Sequence, residues 1–545
     1  MTAPAPEQAV PPCVVYEDDD LLVVNKPPGW NTHAPAVHAG EGIYDWLKHR
    51  EPRWFRLAIV HRLDKDTSGL MVFGKTPEAN RSLTGQFTQR QVRKQYTLVT
   101  DRPVPGETFT VLSAILRSGD HYVARPLTEG SDRAETHFRV LRREGVQTWL
   151  EAEPVTGRTH QIRVHAAAEG LPILGDLLYG GSAASRLQLH ATALEFQHPR
   201  SGDPVRLTAQ PDFVTPAARQ LREAVIDRTR TDTFRCMHGA ADGRPGHYQE
   251  RLGAWLLLEG EEAPAASEVS ALLGSAEGVP PVRGVYFKRL LRQVTRASAA
   301  EAAPQLLAGD PAPARFPVRE HGVTYELSVS EGYSVGLFLD QRDNRRRLLY
   351  GHVASEFPLY GVEKDPAPAD SGPEVLNCFA YTCAFSVCAA LGGARITSLD
   401  LSRKYLDWGR QNFQLNGLDP AAHDFIYGDV FDWLKRLAKK SRSYAVIILD
   451  PPTFSRSPGH GDFRCDTDYG RLVSLALPLL QADGVLLASA NMARLDPEPF
   501  VAQLRKAIQD AGRRIIQEHY APQPPDFPVT REEPAHLKTL WLRIS

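Results

Sequence analysis

From Glu374 onward the sequence alternates strand-like and helix-like segments, and no other feature constrains the fold as much. Strands are expected at Val375–Phe379, Ile396–Asp400, Phe425–Tyr427, Ala445–Asp450 and Gly484–Ser489. Helical stretches such as Arg403–Asn416 lie between them. This alternation predicts a mostly parallel, doubly wound α/β sheet of the Rossmann-like kind.

The first part of the chain has a different rhythm. Short apolar segments at Cys13–Tyr16, Leu21–Asn25, Gln95–Val99 and Trp149–Ala152 are separated by turn-rich stretches. Residues 13–215 therefore read as an α+β domain dominated by antiparallel sheet, after a flexible tail over 1–12. A charged helix or linker is expected over 213–228, with the linker proper at 216–228. A small α+β module follows at 229–300, with an apolar strand at Trp255–Leu258. An Ala/Pro-rich connection over 301–315 opens the last domain, 301–545. A chain of 545 residues is too long for one hydrophobic core, which fits several domains.

Composition excludes several classes. Hydrophobic residues at 42% and charged residues at 23% are the balance of a water-soluble protein. No apolar run approaches the roughly 20 residues of a membrane span. The opening residues lack a basic segment followed by an apolar one, so no secretory leader is expected. Six cysteines without a Cys-x-x-Cys pair predict neither a disulfide framework nor a zinc site, and point to a reducing, cytoplasmic setting. The net charge of −2 announces no nucleic acid. Basic residues do cluster, at Lys288, Arg289, Arg292 and Arg296 with roughly helical spacing, and at Arg342, Arg345, Arg346 and Arg347. Each cluster reads either as a solvated face or as a phosphate contact.

Three N-terminal segments carry chemistry. His61-Arg62-Leu63-Asp64-Lys65-Asp66-Thr67-Ser68-Gly69 sets Asp64 among cations and turn formers. Gly157-Arg158-Thr159-His160-Gln161-Ile162-Arg163-Val164-His165 concentrates hydrogen-bond donors. Arg93-Lys94-Gln95-Tyr96 places a phenol beside cations. Together with Asn25-Lys26-Pro27-Pro28-Gly29, Leu174-Gly175-Asp176 and Leu187-Gln188-Leu189-His190-Ala191, they resemble the RluA-type RNA pseudouridine synthases over about residues 13–210. The resemblance implies detachment of uracil from its ribose and reattachment through carbon, without metal or organic cofactor. It makes Asp64 the central carboxylate, as nucleophile or as base, and ionised in either role. Arg163 is the guanidinium that would hold its pKa down and orient it. Tyr96 would pack on the target base and can move a proton. Arg62 would lie beside the flipped base, or else pair with a phosphate or carboxylate. His160 and His165 lack further ligands at metal spacing and are expected to hydrogen-bond. The domain starts almost at its catalytic fold, so substrate choice is expected to come from this domain or from the C-terminal half.

In the C-terminal part, strand Val375–Phe379 runs into Ala380-Tyr381-Thr382-Cys383 and then helix Phe385–Leu391. Asp400 ends the next strand, roughly 20 residues past Asn377, where a carboxylate can hold both ribose hydroxyls of an adenosine. Alternatively, Asp400 caps the helix that follows. The first loop lacks Gly-x-Gly-x-x-Gly, which favours a phosphate-free adenosine ligand, S-adenosylmethionine, over a dinucleotide. Asp429, after Gly428, can accept from an adenine amino group. Asp450-Pro451-Pro452-Thr453-Phe454 ends a buried strand in a loop stiffened by two prolines, and its carboxylate can receive a planar base.

With Gly336-Leu337-Phe338-Leu339-Asp340-Gln341-Arg342, Asp400–Leu406, Leu415–Leu418 and Asp450–Ser455, residues 229–545 resemble the class I methyltransferases of large-subunit ribosomal RNA. The resemblance assigns the cofactor to Asn377, Asp400, Asp429 and Asp450, and sets Asp340 and Arg342 beside the site. Two departures matter. Cys383 stands where a glycine is usual and is expected to crowd the methionine moiety. Ala490-Asn491 stands where cytosine-C5 chemistry would need a cysteine, which favours transfer to a ring or exocyclic nitrogen, with guanine N7 the closest parallel. The expectation is a bifunctional RNA-modifying enzyme, with ribosomal RNA as partner by analogy and no membrane. The alternatives are a transfer-RNA pseudouridine synthase with an unrelated methyltransferase half, and an RNA-binding assembly factor with one inactive half.

Overall fold

Strand Leu21–Lys26 lies against Ser68–Gly74 at the start of an eleven-stranded sheet. The computed structural model describes residues 9–130, 132–273, 281–290, 302–360, 372–457 and 461–545. The sheet continues through Leu189–Gln197, Arg93–Thr100, Gln147–Pro154, Arg133–Glu144, Thr108–Ser118 and His121–Arg125. Its pairings are antiparallel except one: Leu189–Gln197 runs parallel to Ser68–Gly74, with His190 opposite Ser68 and Ala191 opposite Gly69. Gly69 makes that pairing possible. A Cβ there would meet the Ala191 backbone at 2.4 Å, and its φ of +116° suits glycine alone.

Helix Ala217–Val225, expected in a linker, packs onto this domain instead. Leu221 and Val225 join Cys13, Leu22, Trp30 and Trp46 in one apolar cluster, and so does Phe234 from the next strand.

The small module is a five-stranded sheet in the order Thr233–His238, Tyr248–Leu252, Trp255–Gly260, Gly284–Arg289, Gln305–Gly309, with helix Ala266–Leu272 between its third and fourth strands. The last strand falls in the stretch read from sequence as a connection. It pairs along Gly284–Arg289, and so pairing across the sheet, not its own composition, orders it. Lys288 and Arg289 lie on a strand rather than on helical spacing, and Lys288 is buried against Glu259. Arg292 and Arg296 lie outside the described residues.

The C-terminal sheet has seven strands, in the order Asp424–Tyr427, Arg395–Asp400, Glu374–Cys378, Tyr444–Leu449, Leu480–Asn491, Leu537–Ile544, Ile515–Pro522. The first five are parallel, and Leu537–Ile544 is antiparallel to both of its neighbours. Leu252, Trp255, Leu257 and Tyr286 of the small module share a single core with Val375, Phe385, Val446 and Trp541 of this domain. Each such fully buried large side chain contributes about 1.5–3 kcal/mol of transfer free energy. No helix among the described residues is long and apolar enough to cross a membrane.

The basic run 342–347 is neither solvated nor set against phosphate. Arg342, Arg345, Arg346 and Arg347 are all buried on helix Arg342–Tyr350. Arg342 makes a two-pronged pair with Asp526 at 2.6 and 2.7 Å. Arg345 does the same with Glu320. Arg347 donates to the Val353 carbonyl. Arg346 donates to the Arg50 carbonyl of helix Ile43–Arg50, across the boundary between the halves. At the same junction Trp46 Nε1 donates to Asp343 at 3.3 Å, and the Ser355 amide donates to His49 Nδ1.

Candidate active sites

The first cavity, about 490 Å³, is lined by Arg62, Asp64, Tyr96, His160 and Arg163, with Arg90, Lys94 and Arg158 around them. Asp64 sits in the loop entering strand Ser68–Gly74. That loop is held on several sides. The Thr32 hydroxyl donates to the Leu63 carbonyl at 2.8 Å. Buried Lys26 donates to the carbonyls of Pro27, Trp30 and Lys65. His61 Nε2 accepts from the Val72 amide at 3.0 Å, its ring stacked on Phe87. Burial, then the Lys94 charge, lowers His61 to about 3 and keeps the ring neutral as that acceptor.

Arg163 reaches Asp64 from helix Gln161–Ala168, with Nη1 at 3.6 Å from the Asp64 carboxylate. Its Nε and Nη2 both donate to Asp176, at 2.7 and 2.8 Å. Burial works against the Arg163 charge, but Asp176 and then Asp64 outweigh it and raise its pKa. Asp176 therefore aims the guanidinium at Asp64; in the sequence, Leu174-Gly175-Asp176 stands out only as one segment of the family resemblance, without that role. Burial, then the Asp64 charge, pushes the Tyr96 phenol above its ordinary range, so it stays protonated. His160 Nε2 lies 3.8 Å from Asp64 while Nδ1 meets the Tyr179 hydroxyl. His165 is buried between Ser113 and Thr136. Arg62 is exposed and donates to Thr159.

The second cavity, about 540 Å³, opens at the carboxyl ends of the parallel strands, where ligands of open α/β sheets bind. Asp340, Asp400, Asp429 and Asp450 line it, with Leu337, Phe338, Phe379, Phe385, Phe431 and Pro451 as apolar wall. Asp400 accepts from the amides of Tyr381 at 2.9 Å and Ser402 at 2.8 Å, and burial raises its pKa. The cap of the following helix is Ser402 rather than Asp400. Asp429 caps helix Val430–Lys439 through the Asp432 amide. Asp340 accepts from Asn491 and sits 3.2 Å from His536 Nε2. Asp450 accepts from Gln341 Nε2 at 3.2 Å. Burial, then the Asp340 charge, pushes Asp450 up to about 7.

Two expected contacts do not reach this cavity. The Arg342 guanidinium is committed to Asp526, and Asn377 is buried with its amide donating to Ser386 Oγ. Cys383 does not crowd the cavity either. It turns away toward helix Arg403–Leu415, where Gly409 leaves room; a Cβ on Gly409 would lie 2.4 Å from the Cys383 sulfur. The backbone of this loop is strained. Phe379, Tyr381 and Cys383 all have φ between 49° and 63°, a conformation that costs a non-glycine residue about 1–3 kcal/mol.

The chemistry of the wall suits a sulfonium nucleoside. Among the described lining residues are four carboxylates and one arginine, Arg345, which is already paired with Glu320. A diphosphate would be repelled there, whereas a positive sulfonium would be attracted.

These sites define a two-domain RNA-modification architecture, and comparison with known proteins agrees. The sequence profile of RNA pseudouridylate synthases matches residues 20–168. That of S-adenosylmethionine-dependent methyltransferases matches 281–543. Ribosomal RNA large subunit methyltransferase I of Klebsiella pneumoniae (strain 342) is 31% identical over 330 residues, which cover 60% of this chain and 78% of the relative. The protein of the same name in Escherichia coli O139:H28 is 30% identical over the same shares. Among solved structures, human RNA pseudouridylate synthase domain containing 4 is 26% identical, with a TM-score of 0.30, over 36% of this chain and 88% of that one. The chain belongs to the S-adenosylmethionine-dependent methyltransferase family that includes ribosomal RNA large subunit methyltransferase I, and carries a pseudouridine synthase domain at its N-terminal end.

Proposed function

We propose that the chain performs two reactions on RNA. Its N-terminal half isomerises a uridine to pseudouridine, and its C-terminal half methylates a base nitrogen, on guanine, of large-subunit ribosomal RNA. The observation that carries this reading is that one chain holds both sites: Asp64 facing a guanidinium fixed by Asp176, and a carboxylate-lined cavity at the ends of a parallel sheet. The RNA assignment also leans on the names of the relatives.

In the first site the target base must leave its stack to reach Asp64. Arg163 faces that carboxylate with Nη1 and fixes its direction, whether it acts as nucleophile or as base. Tyr96, protonated, offers a ring face to the base and a hydroxyl proton to its exchangeable edge. Arg62 at the mouth meets the displaced strand.

In the second site Asp400 would receive the ribose hydroxyls and Asp429 the adenine amino group, and the apolar wall would take the adenine ring. When bound, S-adenosylmethionine supplies a methyl group activated by a sulfonium. Asp450, at the start of its stiff Asp-Pro-Pro loop, accepts from the exocyclic amine of the incoming base. Thr453 pins the loop by donating to the Asn491 carbonyl at 2.7 Å. No cysteine is among the residues lining the cavity, and Asn491 is, which supports direct attack by a ring nitrogen over a covalent cytosine adduct.

The test is nucleoside mass spectrometry of ribosomal RNA after reaction with the purified protein. Asp64→Asn is expected to lose pseudouridine and keep methylation. Asp400→Ala is expected to lose cofactor binding and methylation and keep pseudouridine. Pseudouridine persisting in Asp64→Asn would sink the first assignment; a methyl group on cytosine carbon would sink the nitrogen assignment.

A further inference from the structure

A third cavity, about 280 Å³, lies where helix Ala217–Val225 meets the small module, apart from both sites above. Its walls come from three places. The helix supplies Arg219 and Arg222, the connection after it supplies Arg228, and the module's sheet supplies Arg251. Among the described lining residues Asp232 is the one carboxylate, and it accepts from Arg319. The floor is apolar, made chiefly of Phe234, Leu256 and Val282. Arg222 and Arg251 are both more than nine-tenths buried.

The arginines are held in position rather than left to wave in solvent. Arg222 grips Asp242 with two bonds at 2.7 and 2.9 Å. Arg219 and Arg228 converge on the same Glu223 carboxylate. Arg251 donates to the Gly253 carbonyl, and the Arg228 guanidinium lies over the Phe234 ring at 5.5 Å. Burial chiefly, and the Arg228 charge to a lesser degree, disfavour the Arg251 charge. Four guanidinium groups stand here with the Glu223 and Asp242 carboxylates, Asp232 being engaged by Arg319, and that concentration of positive charge beside an apolar floor suits an anion with a flat apolar part.

We propose that this cavity receives one unpaired nucleotide of the RNA substrate, with its phosphate among the four arginines and its base on the Phe234 floor. The chemistry recognised is that of a nucleotide, and the proposal rests on the reading of the protein as an RNA-modifying enzyme. Because the walls come from the synthase-side helix and from the module, the cavity is complete only when the two are docked. An RNA held there would engage the junction of the halves rather than either catalytic cavity.

Cys236 makes the test direct. It lines the cavity, and of the six cysteines it alone is partly exposed. Alkylation of the full-length protein by N-ethylmaleimide at pH 8.5, read by mass spectrometry, reports access to it. The competitors are a ribosomal RNA fragment, adenosine 5′-monophosphate and inorganic phosphate. Protection by the RNA fragment at concentrations where the mononucleotide and phosphate give none is the expected result. Equal protection by free mononucleotide assigns the cavity to a small ligand and overturns the proposal, as does labelling that no competitor changes.

In a second arm, Arg228→Glu is expected to weaken RNA binding about tenfold and to lower the slope of log affinity against log salt by about 1. Its S-adenosylmethionine affinity should equal that of the wild type, which shows the fold intact. Arg219→Gln should give a smaller loss in the same direction. If the wild-type protein binds RNA and neither variant alters affinity, slope or Cys236 labelling, this cavity is not the contact, while the reading of the two active sites stands.

Discussion

Asp176 never touches the first cavity's contents, yet it fixes the direction of the group that does. Two of the three guanidinium nitrogens of Arg163 are spent on it, leaving Nη1 for Asp64. Asp176→Asn is expected to lower the rate of pseudouridine formation about 10- to 100-fold, the range for loss of positioning, with RNA affinity unchanged. Single-turnover kinetics beside a binding titration checks this split. Asp450 gives a residue-scale prediction of another kind. Its folded pKa, about 7, lies above the ordinary carboxyl value near 4. Its protonated form is therefore favoured by folding, and the associated stability is full below about pH 4 and is lost as pH rises through 7. Asp450→Asn removes that loss. Denaturant unfolding at pH 5 and pH 8 should show the variant gaining on the wild type by up to about 2.5 kcal/mol between the two. A difference that does not change with pH would contradict the assignment.

At the scale of elements, Cys383 and Gly409 form a complementary pair across two helices. A Cβ at position 409 meets the Cys383 sulfur and Cβ at 2.4 and 2.8 Å. Gly409→Ala is expected to cost about 1–3 kcal/mol through overpacking. In a Cys383→Gly background the same change should cost little. A double-mutant cycle by thermal or chemical unfolding measures this coupling, and strict additivity would show that the two positions do not communicate.

This pair also shows where sequence reading ends. The parallel strands were legible because buried runs such as Ile447–Leu449 and alternation with helices are local signals, and their expected bounds agree with the structure to within a residue or so, except that the strand expected over Gly484–Ser489 runs longer, Leu480–Asn491. The carboxylates Asp64, Asp340, Asp400, Asp429 and Asp450 were legible through their motifs, and each lines a cavity. Arg342 was misplaced because its motif shows proximity to the site but not the direction of a long side chain, and Asp526, its partner, lies far along the chain. Strand Gln305–Gly309 was missed for a similar reason: its order comes from a neighbour, not from its own composition.

For the whole molecule, the junction of the halves is the informative scale. Arg50 and Arg346 are both buried there, and Asp343 faces Arg342, Arg50 and Arg347. Burial opposes the Asp343 charge, but these arginines outweigh it and hold its carboxyl far below the usual range. The stability it contributes is therefore present above about pH 4 and is lost as pH falls below that. Asp343→Ala leaves buried cations without their counter-charge, a change that typically costs about 3–5 kcal/mol. Scanning calorimetry at pH 7 is expected to show separate transitions for the two halves in this variant and more concerted unfolding in the wild type. Identical profiles would mean that the junction contributes nothing to their coupling.

Helix Ala217–Val225 has a practical corollary for anyone who wishes to divide the gene. A break at residue 215 respects the composition of the chain and yet severs this helix from the apolar cluster that Leu221 and Val225 complete. The N-terminal fragment would then expose that hollow to solvent and tend to aggregate. A break after Ile226 keeps the helix with its own domain, but it still strips buried Arg346, on the other fragment, of the Arg50 carbonyl it donates to. The two halves are thus packed as a unit, and separating them calls for redesigned surfaces on both sides of the cut.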